Sequence, residues 1–219
     1  MILNKASLIC LALLSVIGIA ASKDSGVLLR GEGVLQTQLQ EKPLILKVDP
    51  LLQMLFTSCG EAAITMTYNY ANLDAQISER AVIEFARKHG YFTADHPPYT
   101  SPADMVRIAR NYANGIKSGS VVNADQGIAV LAGNLQEGEP VIIDVRARLY
   151  DMDSPAHFIV VTGMAVDPDH GNKLMVYYND PLTGSRESAR WDGSEGIWNA
   201  WNNNGDPGGA GWWMIIPPP

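Results

Sequence analysis

An α+β fold, with an N-terminal helical half packed on an antiparallel β-sheet half, is predicted by three observations. Apolar stripes with helix start and stop residues crowd residues 58–138. Runs rich in β-branched residues, separated by turn residues at hairpin-like spacing, fill residues 140–216. The two patterns follow one another rather than alternating, which argues against parallel βαβ units.

Taken in order, residues 35–48 alternate polar and apolar side chains through Leu44-Ile45-Leu46, the mark of an extended segment approaching the domain. From Ser58 the chain turns helical: Ala62, Ala63, Met66 and Tyr70 recur at spacings of one, three and four, fitting a heavily buried helix. Ser78-Glu79 opens a second helix with Val82, Ile83, Phe85 and Ala86 as its stripe. Lys88 and His89 suit its C-terminal end, and Gly90 stops it. Ser101-Pro102-Ala103-Asp104 combines an N-cap hydroxyl, a first-turn proline and a first-turn acid, and predicts a third helix reaching Asn114-Gly115. A fourth amphipathic stretch runs from about Asp125 to Gln136. Strands are predicted at Pro140–Val145, His157–Met164, Leu174–Tyr178 and Trp212–Ile216.

The chain has 219 residues, so about 150 residues per domain gives one domain with elaborations. Residues 1–22 read as a signal peptide: Lys5 supplies a positive start, Leu8 to Ala20 an apolar run too short for a comfortable span, and Ala20-Ala21-Ser22 a cleavage site. An uncleaved N-terminal anchor is the alternative. Either way the folded domain is exported, periplasmic or extracellular, and with the signal cleaved the mature form has no membrane span. Residues 23–47 read as an N-terminal lead-in and 48–219 as the domain. Loss of Lys5 takes the net charge from −7 to −8. Such an acidic chain is not built for nucleic acid as a general partner, because phosphate binding needs concentrated Lys and Arg. No sequence feature fixes an oligomeric state.

Export sharpens the cysteine arithmetic. Of two cysteines, Cys10 leaves with the signal, and Cys59 has no partner for an internal disulfide. A small buried hydrophobe is the bland reading of such a thiol. Its neighbours, Gln53-Met54-Leu55-Phe56-Thr57-Ser58-Cys59-Gly60-Glu61, favour a nucleophile. A cysteine where a loop enters a helix meets free N–H groups and the positive end of the dipole, which should lower its pKa. Gly60 permits close approach to the backbone. A side-chain amide at Gln53 on the incoming loop could join the Cys59 N–H as an oxyanion hole.

A nucleophilic thiol needs a base. His89 sits at a helix end, His96 in a proline-rich loop and His170 in a turn. His157 begins an apolar strand and can project from the sheet end, although such a histidine is often structural. The following strand ends Tyr177-Tyr178-Asn179-Asp180-Pro181. An antiparallel hairpin would return Asp180 near His157 as orienter, with Asn179 as the alternative and a plain strand-terminating turn as the competitor.

These segments carry a resemblance. The chain resembles papain-like cysteine peptidases, and within them the double-glycine leader peptidases, cysteine-peptidase family thirty-nine, and their stand-alone relatives. Gln53 precedes Cys59-Gly60 and its helix, then come the strand HFIVVTGM and the segment VYYNDPLTG, in the family's order of cysteine, histidine and acid over roughly residues 48–184. The resemblance implies a papain-like fold, with Cys59 as nucleophile, His157 as general base and then acid, Asp180 as orienter and Gln53 as oxyanion donor. It implies hydrolysis of a peptide or amide bond through a thioester, on a peptide or amide-containing substrate, with no cofactor. An acyltransferase using the same triad and a catalytically silent binding module are the alternatives. Transporter domains are lacking, so a leader-processing role does not carry over.

Around this core, Asp151 and Asp153 could form an acidic rim, and Tyr91, Phe92, Pro97, Pro98 and Tyr99 could line a cleft. Simple solvated or packed loops are the plainer readings. The tryptophans of the tail, Trp191, Trp198, Trp201, Trp212 and Trp213, could platform sugars but more simply cap the sheet. No phosphate loop, dinucleotide fingerprint, zinc-type cysteine pair or serine nucleophile elbow occurs.

Overall fold

Helix caps chosen by sequence hold in space. In a computed structural model that describes residue 39 and residues 42–97, 99–168 and 171–218, helices form at Cys59–Ala71 (α1), Glu79–Lys88 (α2), Pro102–Ala109 (α3), Ala124–Gln136 (α4) and Ile197–Asn202 (α5). The stretch read as a signal peptide, most of the lead-in, Pro98 and His170 lie outside the described residues. The Ser78 hydroxyl accepts from the Ala81 N–H, Ser101 from Asp104 with Pro102 at the first turn, and Asn123 from Gln126. Helix α3 ends at Ala109, short of the expected Asn114: the turns Asn111 N–H to Ile108 and Tyr112 N–H to Ala109 tighten the chain there.

Strands form at Leu44–Ile45 (β1), Lys117–Ser120 (β2), Val141–Arg146 (β3), Ala156–Asp167 (β4), Lys173–Asp180 (β5), Ser185–Arg190 (β6) and Trp212–Ile215 (β7). They make one sheet in the order β2-β7-β3-β4-β5-β6, with β1 added to β4, and every pairing is antiparallel. The fold is α+β, as the sequence predicts. Strands β2 and β6 were not expected: Lys-Ser-Gly-Ser and Ser-Arg-Glu-Ser-Ala-Arg lack β-branched character, and neighbouring strands rather than local preference hold them extended. The sheet also begins inside the segment read as lead-in, since Leu44 and Ile45 pair with Met164 and Gly163 and the Leu46 N–H reaches the Thr162 carbonyl at 2.7 Å.

Alternating side chains on the long strands divide the interior into two cores. Ile142, Phe158, Val160, Trp212 and Met214 pack against α1, α2 and α3. Val141, Ile143, Val145, Ile159, Val161 and Ile215 pack against α4 and α5. The first core sets the position of α1. Ala62 and Ala63 are fully buried, and a Cβ on Gly60 would meet Met105 Sδ at 2.6 Å and the Phe158 ring at 3.3 Å. Only glycine lets the helix start sit this close to α3 and β4. The tail strand β7 lies between β2 and β3, and Trp201 is wholly buried with its indole N–H on the Trp212 carbonyl at 2.7 Å. The tail is therefore part of the sheet and its cap. No described helix is long and apolar enough to cross a membrane.

Candidate active site

Cys59 is the first residue of α1, partly exposed, at the floor of a cleft of about 560 Å³. The helix start is held from outside the helix. The Ser58 hydroxyl does not cap the helix; it accepts from the Leu55 N–H at 3.0 Å and donates to Glu79 Oε1 at 2.6 Å. Glu79 also accepts from the Met54 N–H at 2.9 Å. A buried carboxylate on α2 thus fixes residues 54–58, and the first two residues of the helix, Cys59 and Gly60, whose N–H groups no intrahelical carbonyl can reach, line the cleft.

His157, near the start of β4, is 5% exposed, and its Nε2 lies 2.6 Å from Asp180 Oδ1 at the end of β5. The β4–β5 register, with Val160 opposite Asn179, brings the two strand ends together. The other ring nitrogen, Nδ1, is not engaged by Asp180, and Cys59 lies close enough to the ring to act on its basicity. Burial alone would push the imidazole down, but the Asp180 bond and the adjacent sulfur overturn that and raise His157 to about 10. Burial pushes Asp180 up in turn, yet the His157 bond and charge, with the Leu182 N–H at 2.8 Å, hold it below the usual carboxylate range. The imidazolium is therefore the favoured form beside the sulfur. Asn179, the alternative orienter, points elsewhere: its amide donates to the Val48 carbonyl at 2.9 Å.

Gln53 packs against the same corner, because its N–H bonds the Pro181 carbonyl at 2.8 Å. Its side-chain nitrogen donates to the Leu55 and Phe56 carbonyls at 2.8 and 2.7 Å. Both amide hydrogens are thus committed inside the loop, and an oxyanion would have to draw one of them away. His89 bonds the Phe85 carbonyl at its helix end, and His96 lies 3.4 Å from the Pro97 carbonyl.

A family model described as Peptidase C39-like matches residues 45–207. The chain belongs to this family. Its match reaches beyond the roughly 48–184 carrying the sequence resemblance, and takes in Ile45 of β1, β6, α5 and the first residues of the loop that follows α5. C39-like membership gives the chain a cysteine-peptidase type of function. No curated protein matches the chain to narrow that further.

The C39-like cleft is lined by Thr57, Pro97, Tyr99 and Thr100, by Met152–Ala156 and Phe158, and by Asn204–Pro207. Tyr99 and Pro97 place the aromatic loop at the cleft, whereas Phe92 is buried in the core. Asp153 lines the wall; Asp151 instead pairs with Arg148 at 2.9 Å. Four buried acids received no role from sequence: Glu79, Glu61, which accepts from the Thr100 hydroxyl at 2.7 Å, Asp144 on β3, and Glu139, which pairs with Lys117 at 3.2 Å. The one available signal was Asp144, a lone acid within Val-Ile-Ile-Asp-Val. Among the described residues no group of His, Cys, Asp or Glu is arranged to hold a metal ion.

Proposed function

We propose that the chain is an exported cysteine peptidase or amidase that cleaves a peptide or amide bond through a thioester on Cys59. The observation that carries this reading is the 2.6 Å bond from Asp180 to His157 with Cys59 beside the ring and lining an open cleft. Export is supported by the sequence of residues 1–22 alone.

In this mechanism the Cys59 sulfur, paired with the His157 imidazolium, attacks the scissile carbonyl. Negative charge develops on the carbonyl oxygen, where first-turn N–H groups of α1 and one Gln53 amide hydrogen receive it. His157 then gives its proton to the leaving nitrogen, and the C–N bond breaks. Water enters, His157 takes its proton, and the thioester collapses to a free acid. Asp180 keeps Nδ1 turned toward the sulfur and balances the imidazolium.

Timed alkylation with iodoacetamide, read at Cys59 by peptide mass, tests the first step. Cys59 is expected to react faster than free cysteine at pH 6 and to slow in His157→Ala. Reaction no faster than the free thiol, with no product from casein peptides, would point instead to a silent binding module. Added amine that appears as a new amide product would shift the assignment from hydrolase to acyltransferase.

A further inference from the structure

The wall of the cleft formed by the loop after α5 is tied to β3. Asn204 donates to the Asp144 carbonyl at 2.7 Å, and its own side-chain oxygen accepts from the Asp206 N–H at 3.0 Å. The Gly209 N–H closes the turn on the Asp206 carbonyl at 2.9 Å, and a Cβ on Gly209 would collide with Asp144 Oδ2. This turn sets the half-exposed Asp206 over Asp144 while Asp206 itself lines the cleft.

Asp144 pairs across the sheet with Phe158, so both side chains share a face, and Phe158 lines the cleft. Asp144 is 0% exposed, and no N–H or hydroxyl donor among the described residues reaches either carboxyl oxygen; its side-chain partner is the carboxyl of Asp206. A buried carboxyl whose side-chain partner is a second acid is costly, and native structures seldom keep one without a use. Burial, then the neighbouring Asp206, raises Asp144 well above the ordinary carboxyl value. Arg146, next along the same face, does not neutralise it: its guanidinium holds the Leu149 carbonyl and the Met152 sulfur, fixing the loop that carries Met152–Pro155. The charged side chains lining the cleft, Asp153 and Asp206, are both acidic.

We propose that this corner is a specificity subsite for a basic substrate side chain, an ammonium or guanidinium, met by Asp206 with Asp144 behind it. A cation supplies the N–H donors and the charge that the pair lacks. The proposal rests on the cysteine-peptidase reading and names the substrate class of that site.

The test uses peptidyl acyloxymethyl ketones that alkylate Cys59, carrying Lys, norleucine or Glu in turn at the first and second residue before the reactive ketone. Norleucine matches the length of Lys without its charge. At one of the two positions the Lys reagent is expected to react about tenfold faster than the norleucine reagent, the size of one charge-assisted hydrogen bond. That ratio, taken within each protein, is expected to fall toward one in Asp206→Asn and to drop in Asp144→Asn. Asp206→Lys, a change on an accessible loop, is expected to turn the preference toward Glu. Fast alkylation with equal Lys and norleucine rates at both positions, or a ratio indifferent to Asp206, overturns the subsite and leaves the cysteine chemistry standing. Failure of every ketone and of iodoacetamide to outpace free cysteine overturns both.

Discussion

The two faces of the sheet are built from different material. Behind it, α4 and α5 meet an interior of aliphatic side chains and packed indoles, with Trp191, Trp198 and Trp201 in mutual ring contact at 5.9–6.4 Å. In front, where α1 stands, the interior holds Glu61, Glu79, Asp144 and Arg146 at 0–4% exposure. Buried polar groups weaken a core unless every atom is paired, and here oxygens of Glu61 and Asp144 and the Arg146 Nε are not. The front face therefore sacrifices stability to place charge around Cys59, and the rear face holds the sheet together. A change in front should alter chemistry and titration; a change behind should alter folding alone.

The largest effect is expected within the triad. His157→Ala should lower turnover by about a thousandfold or more, since the base and the acid are one group. Asp180→Ala should cost less, because Asp180 orients the ring and transfers no proton. It should also pull the alkaline limb of the rate profile down from the high value His157 holds, as the imidazolium loses its carboxylate partner. Initial rates across pH for the three proteins check both points, and equal losses would remove the distinction of roles.

The same contrast governs what the sequence could disclose. Helices α2 and α3 were legible from Ser78, Ser101 and Pro102, because a cap is a local device that needs no tertiary partner. Strand β4 was legible from its β-branched run, although it extends to Asp167, beyond the expected Met164. Strand β6 was not, since its alternating exposure comes from pairing with β5 and facing water on one side. Cys59, His157 and Asp180 stood out because each occupies an element boundary. Glu61, Glu79 and Asp144 did not, because their meaning lies in burial, and a buried carboxyl carries the same letter as a solvated one.

On the rear face, Trp201→Ala should destabilise by about 3–5 kcal/mol, through lost packing and a cavity beneath the Trp212 carbonyl that its indole now caps. Urea unfolding measures the loss. The alkylation rate of Cys59 in the folded fraction should stay within about twofold of the parent protein, because the Trp201 side chain packs in the core on the opposite face of the sheet from α1. A fall in that rate matching the triad variants would mean that the two faces are not separable.

The smaller expected change is a gain, and it belongs to the front face. Burial raises Glu61 from 4.5 to about 7, against the opposing Thr100 hydrogen bond. Its folded pKa thus lies above the unfolded value, the reverse of a salt-bridged carboxyl. As pH climbs from 4.5 to 7, the unfolded chain has released a proton that the native state still holds, so stability falls across that window and levels off above it. The cost at pH 8 is about 3 kcal/mol, from 1.36 kcal/mol for each pKa unit. Glu61→Gln imitates the neutral acid, keeps an oxygen for the Thr100 hydroxyl and cannot ionise. The variant should match the parent to within about 0.5 kcal/mol near pH 4.5 and exceed it by about 3 kcal/mol at pH 8 in paired denaturation curves. His157 and Asp180 are present in both proteins, so their titrations cancel in the difference. A gap that does not change with pH would show that Glu61 is not the group that makes the front face sensitive to alkali.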